Sequence, residues 1–443
     1  LVDPTLVDKI VRHFKASKVD YVSNIDPPTY PDGLDVEVFT MEALERAHRE
    51  TTVAYDREHV TPYIRDSGKF SKDSVCHPSD ESSRRWTVDE AVDLQVIDAI
   101  FRAFPTEDMI RWYDVLALAA AKPEMFDRNR ELKRNEGGTM GSGQKLWRRA
   151  KEIIPGGSML LSKRGEMFAP DQWPSYFSKA KGCSVWDLDG REYLDLSLMG
   201  VGTNTLGYGH PEVDDAVREA IGKGNLSTLN CPEEVYLAEQ LIRMHPWSGM
   251  ARFARTGGEA NAIAVRIARA HSGKEGVAVC GYHGWHDWYL SANLGDEENL
   301  SGHLLPGLTP TGVPASLRGT VFPFNYNDLD ALETLVKNKN IGVIKMEVYR
   351  NKEPEGDFLM KVRNLATREG IVLIFDECTS GFRETAGGLH LKYGVEPDMA
   401  VFGKTLGNGY ALTAVLGRKE VMEAAQSTFI SSTFWTERIG PAA

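Results

Sequence analysis

Between residues 259 and 416, short apolar runs alternate with longer amphipathic stretches. The runs Val277–Cys280, Thr320–Phe324, Gly342–Glu347, Ile371–Phe375, Met399–Phe402 and Leu412–Leu416 have strand length. Between them Glu259–His271, Leu329–Lys337 and Leu359–Arg368 carry a helical period. That alternation predicts an α/β fold with a mostly parallel sheet. Two of the runs end abruptly in charge, Asp376 after Phe375 and Lys404 just beyond Phe402. An unpaired charge is very costly inside a core. In a parallel sheet the carboxyl ends of the strands open into the crevice where ligands bind. Adjacent strands would therefore deliver one carboxylate and one amine into a single crevice.

Upstream the pattern is more varied. Asp3-Pro4 reads as an N-cap with proline at the first helical position, followed by a stripe of Leu6, Val7, Ile10, Val11 and Phe14. Tyr21–Asn24 and Leu34–Phe39 are strand candidates, and a helix is expected after Thr40. A further helical stripe holds Val92, Val96, Ile100 and Phe104, with Asp89 placed as its N-cap. Residues 129–144 are charged and then glycine-rich, the texture of a linker. Beyond it come a helix ending near Ile154, a hairpin over Cys183–Asp195 turning at Asp189-Gly190, and helices after Pro211 and Pro232. The domain reading is thus 1–128, a linker over 129–144, and 145–443.

Composition narrows the options. At 443 residues, 42% hydrophobic and 26% charged, the chain is long enough for ample cores. A net charge of −12 argues against a nucleic-acid binder. No apolar run approaches a membrane span, and no secretory signal is visible at the amino end. Five scattered cysteines with no CxxC pair fit a reducing cytoplasm and carry no zinc signature.

Three segments carry candidate chemistry. A carboxylate and a lysine in one crevice suit pyridoxal 5′-phosphate, whose aldehyde needs a lysine and whose pyridine nitrogen needs an acidic partner. Thr256-Gly257-Gly258 before a strong helix offers backbone N–H groups and a helix dipole to a phosphate, although two glycines before a helix often make only a turn. In Gly281-Tyr282-His283-Gly284-Trp285-His286 two histidines lie three apart without an obvious third metal ligand. An aromatic here either stacks on a flat cofactor ring or packs on the rim of the sheet.

Taken together, WDLDGREYLDL, LGYGHPEV, TGGEANAIAVRIARA, GYHGWHD, PTGVPASLRG, FDECTSGFR, FGKTLGNGY and STFWTERIGPAA resemble the class III aminotransferases of fold type I, in the group similar to glutamate-1-semialdehyde aminomutase. The resemblance runs from about Lys145 to the last residue and implies the seven-stranded sheet of fold type I pyridoxal phosphate enzymes. It implies that Lys404 holds the cofactor as a Schiff base and then moves the proton of the reaction. It assigns Asp376 to the pyridine nitrogen, Gly257 and Gly258 to the phosphate, Tyr282 to one ring face and Cys378 to the other. Thr433 matches a threonine that reaches the cofactor phosphate of a neighbouring subunit, so a homodimer is expected. Departures from the pattern are Gly258 in place of a hydroxyl residue, Cys378 in place of Val or Ile, and Val348 after Glu347. The segment Gly156–Arg164 is longer than the aminomutase serine-to-arginine stretch, leaving Lys163, Arg164 and Glu347 as candidate substrate contacts. The family's small C-terminal domain is expected to follow the point where this chain stops.

The set YPDGLDVEVF, REHVTPYI and RWTVDEAVDL resembles the later part of cytidylyltransferases of surface-polysaccharide biosynthesis. That resemblance implies a magnesium site at Asp89. The nucleotide loop and the second metal-binding aspartate of that family would precede Leu1, so Mg²⁺ is expected only in a completed N-terminal domain. The resulting expectation is a pyridoxal phosphate aminotransferase moving an amino group between a small-molecule donor and a carbonyl acceptor in surface-glycan synthesis. Its alternatives are a 2,1-aminomutase and, in a longer chain, a cytidylyltransferase acting on a sugar acid.

Overall fold

The computed structural model describes residues 3–51, 54–89, 91–105, 109–130, 141–170, 172–303 and 308–443. The chain divides into two compact units, Leu1–Lys179 with Val185–Tyr193 and Ala180–Ser184 with Leu194–Ala443.

In the first unit, helix Pro4–Ser17 opens at Asp3, whose side chain accepts from the Thr5 and Leu6 N–H groups. Its apolar stripe packs Leu6 and Ile10 with Val22, Tyr30, Trp86 and Ile100. Tyr21–Ser23 is the centre of a three-stranded sheet, antiparallel to Glu37–Phe39 and parallel to Lys72–Ser74. The strand expected over Leu34–Phe39 is only three residues long. The Asn24 side chain binds the Leu34 carbonyl and the Val36 N–H, at 2.9 and 2.8 Å, and takes the place of ladder bonds there. Helix Met41–Glu50 follows Thr40 as its pattern predicts. Of the expected linker, residues 131–140 lie outside the described residues, and Ser142–Gln144 already belong to helix Ser142–Ile153. The expected hairpin forms from Ser184–Asp187 and Glu192–Leu194. Gly190 sits in its turn at φ 82°, a conformation that glycine adopts without steric cost.

The second unit is built on seven strands: β1 (Met250–Ala254), β2 (Gly276–Cys280), β3 (Val321–Pro323), β4 (Ile341–Glu347), β5 (Val372–Glu377), β6 (Met399–Phe402) and β7 (Thr413–Gly417). Their order is β1-β7-β6-β5-β4-β2-β3, and β7 alone runs against its neighbours. The sequence pattern locates six of them. It misses β1, where Met250-Ala251-Arg252-Phe253 gives no continuous apolar run because this strand lies at the sheet edge.

Helices cover both faces of the sheet. On one, α1 (Gly257–Ser272) packs Ile263, Ala264 and Ile267 onto Val279, Val343 and Ile374. On the other, α2 (Phe358–Glu369) packs Leu359, Val362 and Leu365 onto Ile344, Leu373 and Phe375. Central strands buried on both faces explain why the runs are uninterrupted rather than alternating. No helix among the described residues is long and apolar enough to cross a membrane.

Candidate active site

β5 and β6 are parallel neighbours, with Asp376 in register with Val401 and Glu377 with Phe402. Both carboxyl ends therefore open on the same edge of the sheet, and Lys404 begins the turn after β6. Lys404 has φ 44°, an uncommon backbone state for a non-glycine residue. It is half-buried, and burial together with the nearby Arg350 and Arg383 charges pushes its amine below the ordinary lysine range. Such a shift favours a neutral, nucleophilic amine.

Asp376 is 3% exposed. One carboxylate oxygen accepts from His283 Nδ1 at 2.8 Å and lies 3.7 Å from Lys345 Nζ; the other accepts from the Cys378 N–H at 3.1 Å. Burial alone would raise its pKa. The Lys345 charge, the His283 hydrogen bond and the Cys378 amide outweigh that and hold it well below the usual carboxylate range. His283 is fully buried, and desolvation pushes it down against the pull of Asp376, toward its neutral form.

The start of α1 stands against this edge, beside Cys378. Thr256 caps this helix, taking the Glu259 N–H while the Glu259 carboxylate takes the Thr256 N–H. The N–H groups of Gly257 and Gly258, in the first turn, have no acceptor within the helix. A β-carbon on Gly258 would lie 2.8 Å from the His286 ring, and one on Gly257 would meet the Cys378 sulfur at 3.5 Å. Glycine at 258, a departure in the sequence, thus makes room for His286. That ring stacks on Trp285 with centroids 4.5 Å apart and carries a buried Nδ1 with no protein partner.

Tyr282 is half-buried on the same edge, with its N–H on Glu347 Oε2 at 3.1 Å. Glu347 approaches the backbone so closely that a β-carbon on Gly281 would lie 2.5 Å from its carboxylate. Both Glu347 oxygens are also held by the Arg350 guanidinium, at 2.8 and 2.7 Å. Glu347, expected as a substrate contact, is therefore committed to Arg350 and the Tyr282 amide, and Arg350 supplies the charge near Lys404. Cys378 fills the gap between Gly257 and Gly403, its thiol pushed well up by burial.

Lys163 and Arg164 belong to the first unit, where Lys163 is exposed and the Arg164 guanidinium lies against Gly156. Thr433 is exposed in the short turn Thr433–Thr436 of the second unit. Asp89 is exposed, with its carboxylate accepting from Arg85 at 3.2 Å. Among the described residues no group of three or more His, Cys, Asp or Glu gathers to hold a metal. Four participants escape sequence reasoning: His283 as the partner of Asp376, His286 beside Gly258, Arg350, and Lys345. The last has a visible signal, a lysine in the middle of the apolar run IGVIKMEV.

The residues present fit pyridoxal 5′-phosphate. The helix start offers free N–H groups for an anion, with an unpartnered buried imidazole nitrogen beside them. The end of β5 offers a buried ionised carboxylate, and a depressed lysine amine stands after the adjacent strand β6. Relatives and solved structures agree with this chemistry. The chain is 36% identical over 305 residues to the 3-aminobutyryl-CoA aminotransferase of Cloacimonas acidaminovorans (strain Evry), covering 67% of this chain and 69% of that protein. It is 35% identical over 290 residues to the glutamate-1-semialdehyde 2,1-aminomutase of Methanothermobacter thermautotrophicus, covering 63% and 66%. The chain therefore spans about two thirds of these curated relatives. It also resembles the FumI protein of Sphingopyxis sp. MTA144, solved in its PLP internal aldimine form, with a TM-score of 0.60, 27% identity, and 68% of this chain and 71% of that one covered. The class-III aminotransferase family model matches residues 168–443, and with the site and these likenesses the chain belongs to that family.

Proposed function

We propose that the chain is the cofactor-binding part of a pyridoxal phosphate-dependent transaminase that moves an amino group between a small-molecule amine and a carbonyl compound. The observation that carries this reading is the delivery of Asp376 and Lys404 to one sheet edge by adjacent parallel strands. When bound, the cofactor supplies an electron sink for the pair left behind as the substrate α-carbon loses its proton.

The protein's own groups do the rest. Gly257 and Gly258 N–H and the α1 dipole hold the phosphate, with His286 Nδ1 replacing the hydroxyl that Gly258 lacks. Asp376, kept ionised, holds a proton on the ring nitrogen. Tyr282 and Cys378 confine the ring, and Lys404 Nζ anchors the cofactor and then takes and returns the α-proton. Arg350, itself paired with Glu347, favours the neutral form of that amine.

Borohydride reduction of the loaded protein should fix the cofactor on Lys404, read as a mass increase on the peptide that contains it. Equal fixation in Lys404→Ala would refute the reading. A homodimer with Thr433 facing the neighbour's phosphate is part of the same proposal, supported by Leu196, Leu229, Phe429 and Phe434, which are 91, 82, 89 and 72% exposed. A cytoplasmic location goes with it.

Transamination is favoured over 2,1-aminomutation by the altered Gly156–Arg164 segment. A half-reaction screen of amino donors, followed by absorbance, separates the two, because an aminomutase needs no second carbonyl substrate. The residues before the linker are read as the later part of a cytidylyltransferase-like domain, which would place the enzyme in surface-glycan synthesis. CTP turnover with a sugar acid by a longer chain tests that part alone.

A further inference from the structure

Lys345 is the odd residue of the central sheet. It lies in mid-strand on β4, in register with Val279 of β2 and Ile374 of β5, and its side chain is fully buried. Its neighbours on that face, Val279, Val343 and Ile374, are core residues under α1. Its Nζ has no hydrogen-bond partner and sits 3.7 Å from Asp376 Oδ2, the oxygen that also takes His283 Nδ1. Burying an ammonium in such a place is strongly unfavourable unless a counter-charge stands beside it. Only structure would be served as well by Val or Ile here, as at positions 343 and 344.

We propose that Lys345 is a positioning residue that acts through Asp376, sharing its one negative charge with the ring nitrogen of the cofactor and so setting how firmly that nitrogen holds its proton. This rests on the reading of the site as a pyridoxal phosphate site. The charge count gives the reason. Around Lys345 the titratable groups are Asp376, Cys378 and Glu347, with His283 on the shared oxygen. Burial pushes His283 toward its neutral form and keeps the Cys378 thiol protonated, and both Glu347 oxygens are held by Arg350. Among these groups Asp376 is the carboxylate with no cation at hydrogen-bond distance. Protonated Lys345 balances it; a protonated ring nitrogen balances it as well; both together leave one buried positive charge uncompensated. Two such sites titrate as a coupled pair.

When the cofactor docks with its ring nitrogen protonated, Lys345 passes its proton to solvent and remains as the neutral amine. Burial, which pushes the Lys345 amine down, makes that release easier. No bond forms at Lys345, and one proton leaves per site.

The test uses the full chain cleared of cofactor and titrated calorimetrically in buffers of different ionisation enthalpy. The probes are pyridoxal phosphate and 1-deazapyridoxal phosphate, in which carbon replaces the ring nitrogen. Wild type should release close to one more proton with pyridoxal phosphate than with the deaza compound near neutral pH. In Lys345→Met, a swap of similar volume, that extra proton should vanish. The same variant should prefer pyridoxal phosphate over the deaza compound about tenfold more strongly than wild type does, because Asp376 then serves the ring alone.

Equal proton release for the two probes in wild type overturns the proposal without any variant being needed. An unchanged preference in Lys345→Met overturns it too and reduces Lys345 to a packing residue. Failure of the underlying reading looks different: neither probe would bind wild type at all.

Discussion

Each unit buries a cluster of charges, and the two clusters are finished differently. In the first unit Arg85 is surrounded by carboxylates, with Asp93 at 2.8 and 3.0 Å, Asp32 at 3.2 Å and Asp89 at 3.2 Å. Asn129 closes the cluster by donating to Asp93 at 2.9 Å and to the Arg85 carbonyl at 3.1 Å. In the second unit Asp376 gathers His283 and Lys345, but Lys345 Nζ and His283 Nε2 are buried without a partner. Glu377, the next residue on β5, offers a control inside the same sheet. Its carboxylate takes the Leu389 and His390 N–H groups and the His390 ring, and that ring also accepts from Trp247. Saturated clusters hold a fold together. Buried polar atoms left over at a strand end mark a place shaped for something else, because stability alone would have paired them or removed them.

The comparison can be broken most forcefully at Arg85. Arg85→Met leaves buried carboxylates without their cation and should cost the first unit about 3–5 kcal/mol, read by urea unfolding. Below that transition the half-reaction of the second unit should persist; its loss would show that the two clusters are not independent. Asp376→Asn removes the counter-charge from the open cluster and should slow transamination roughly 10²–10³-fold, measured by stopped-flow absorbance. If it behaved like a stability variant with full activity, the open cluster would be structural after all.

Gly258→Ala drives a β-carbon into the His286 ring and should weaken cofactor binding about tenfold in a fluorescence titration. Gly222→Ala, at a position open to space, should leave it unchanged.

The smallest effect concerns pH. Lys404 is depressed by burial and by the Arg350 and Arg383 charges, so its amine becomes neutral, and active, at a lower pH than a free lysine would. Arg350→Gln removes one of those positive charges, so the rising limb of the pH–rate profile should move to higher pH. A downward move would contradict the geometry at Glu347 and Arg350.

Asp376, Lys404 and the two glycines were legible in the chain because each interrupts a regular pattern: a charge ends an apolar run, or glycines open a helix. Gly258 was legible as a departure, yet its reason, the His286 ring, lies 28 residues further along the chain and became visible only when both were placed. His283 was read among possible metal ligands, since nothing local to GYHGWHD points to a carboxylate on β5. The strand expected over Leu34–Phe39 is shortened to Glu37–Phe39 because a side chain, Asn24, replaces the ladder bonds that periodicity assumes.

By itself the sequence determined which segments could be buried on two faces and where those segments had to stop, since apolar runs and charges have only one low-energy arrangement relative to water. The tertiary structure decided which ends meet. Register between β4, β5 and β6 is a matter of backbone pairing across the chain, and it sets Lys345, Asp376 and Lys404 around one edge. Electrostatic coupling depends on those through-space distances, and the spacing of residues along the chain does not fix them.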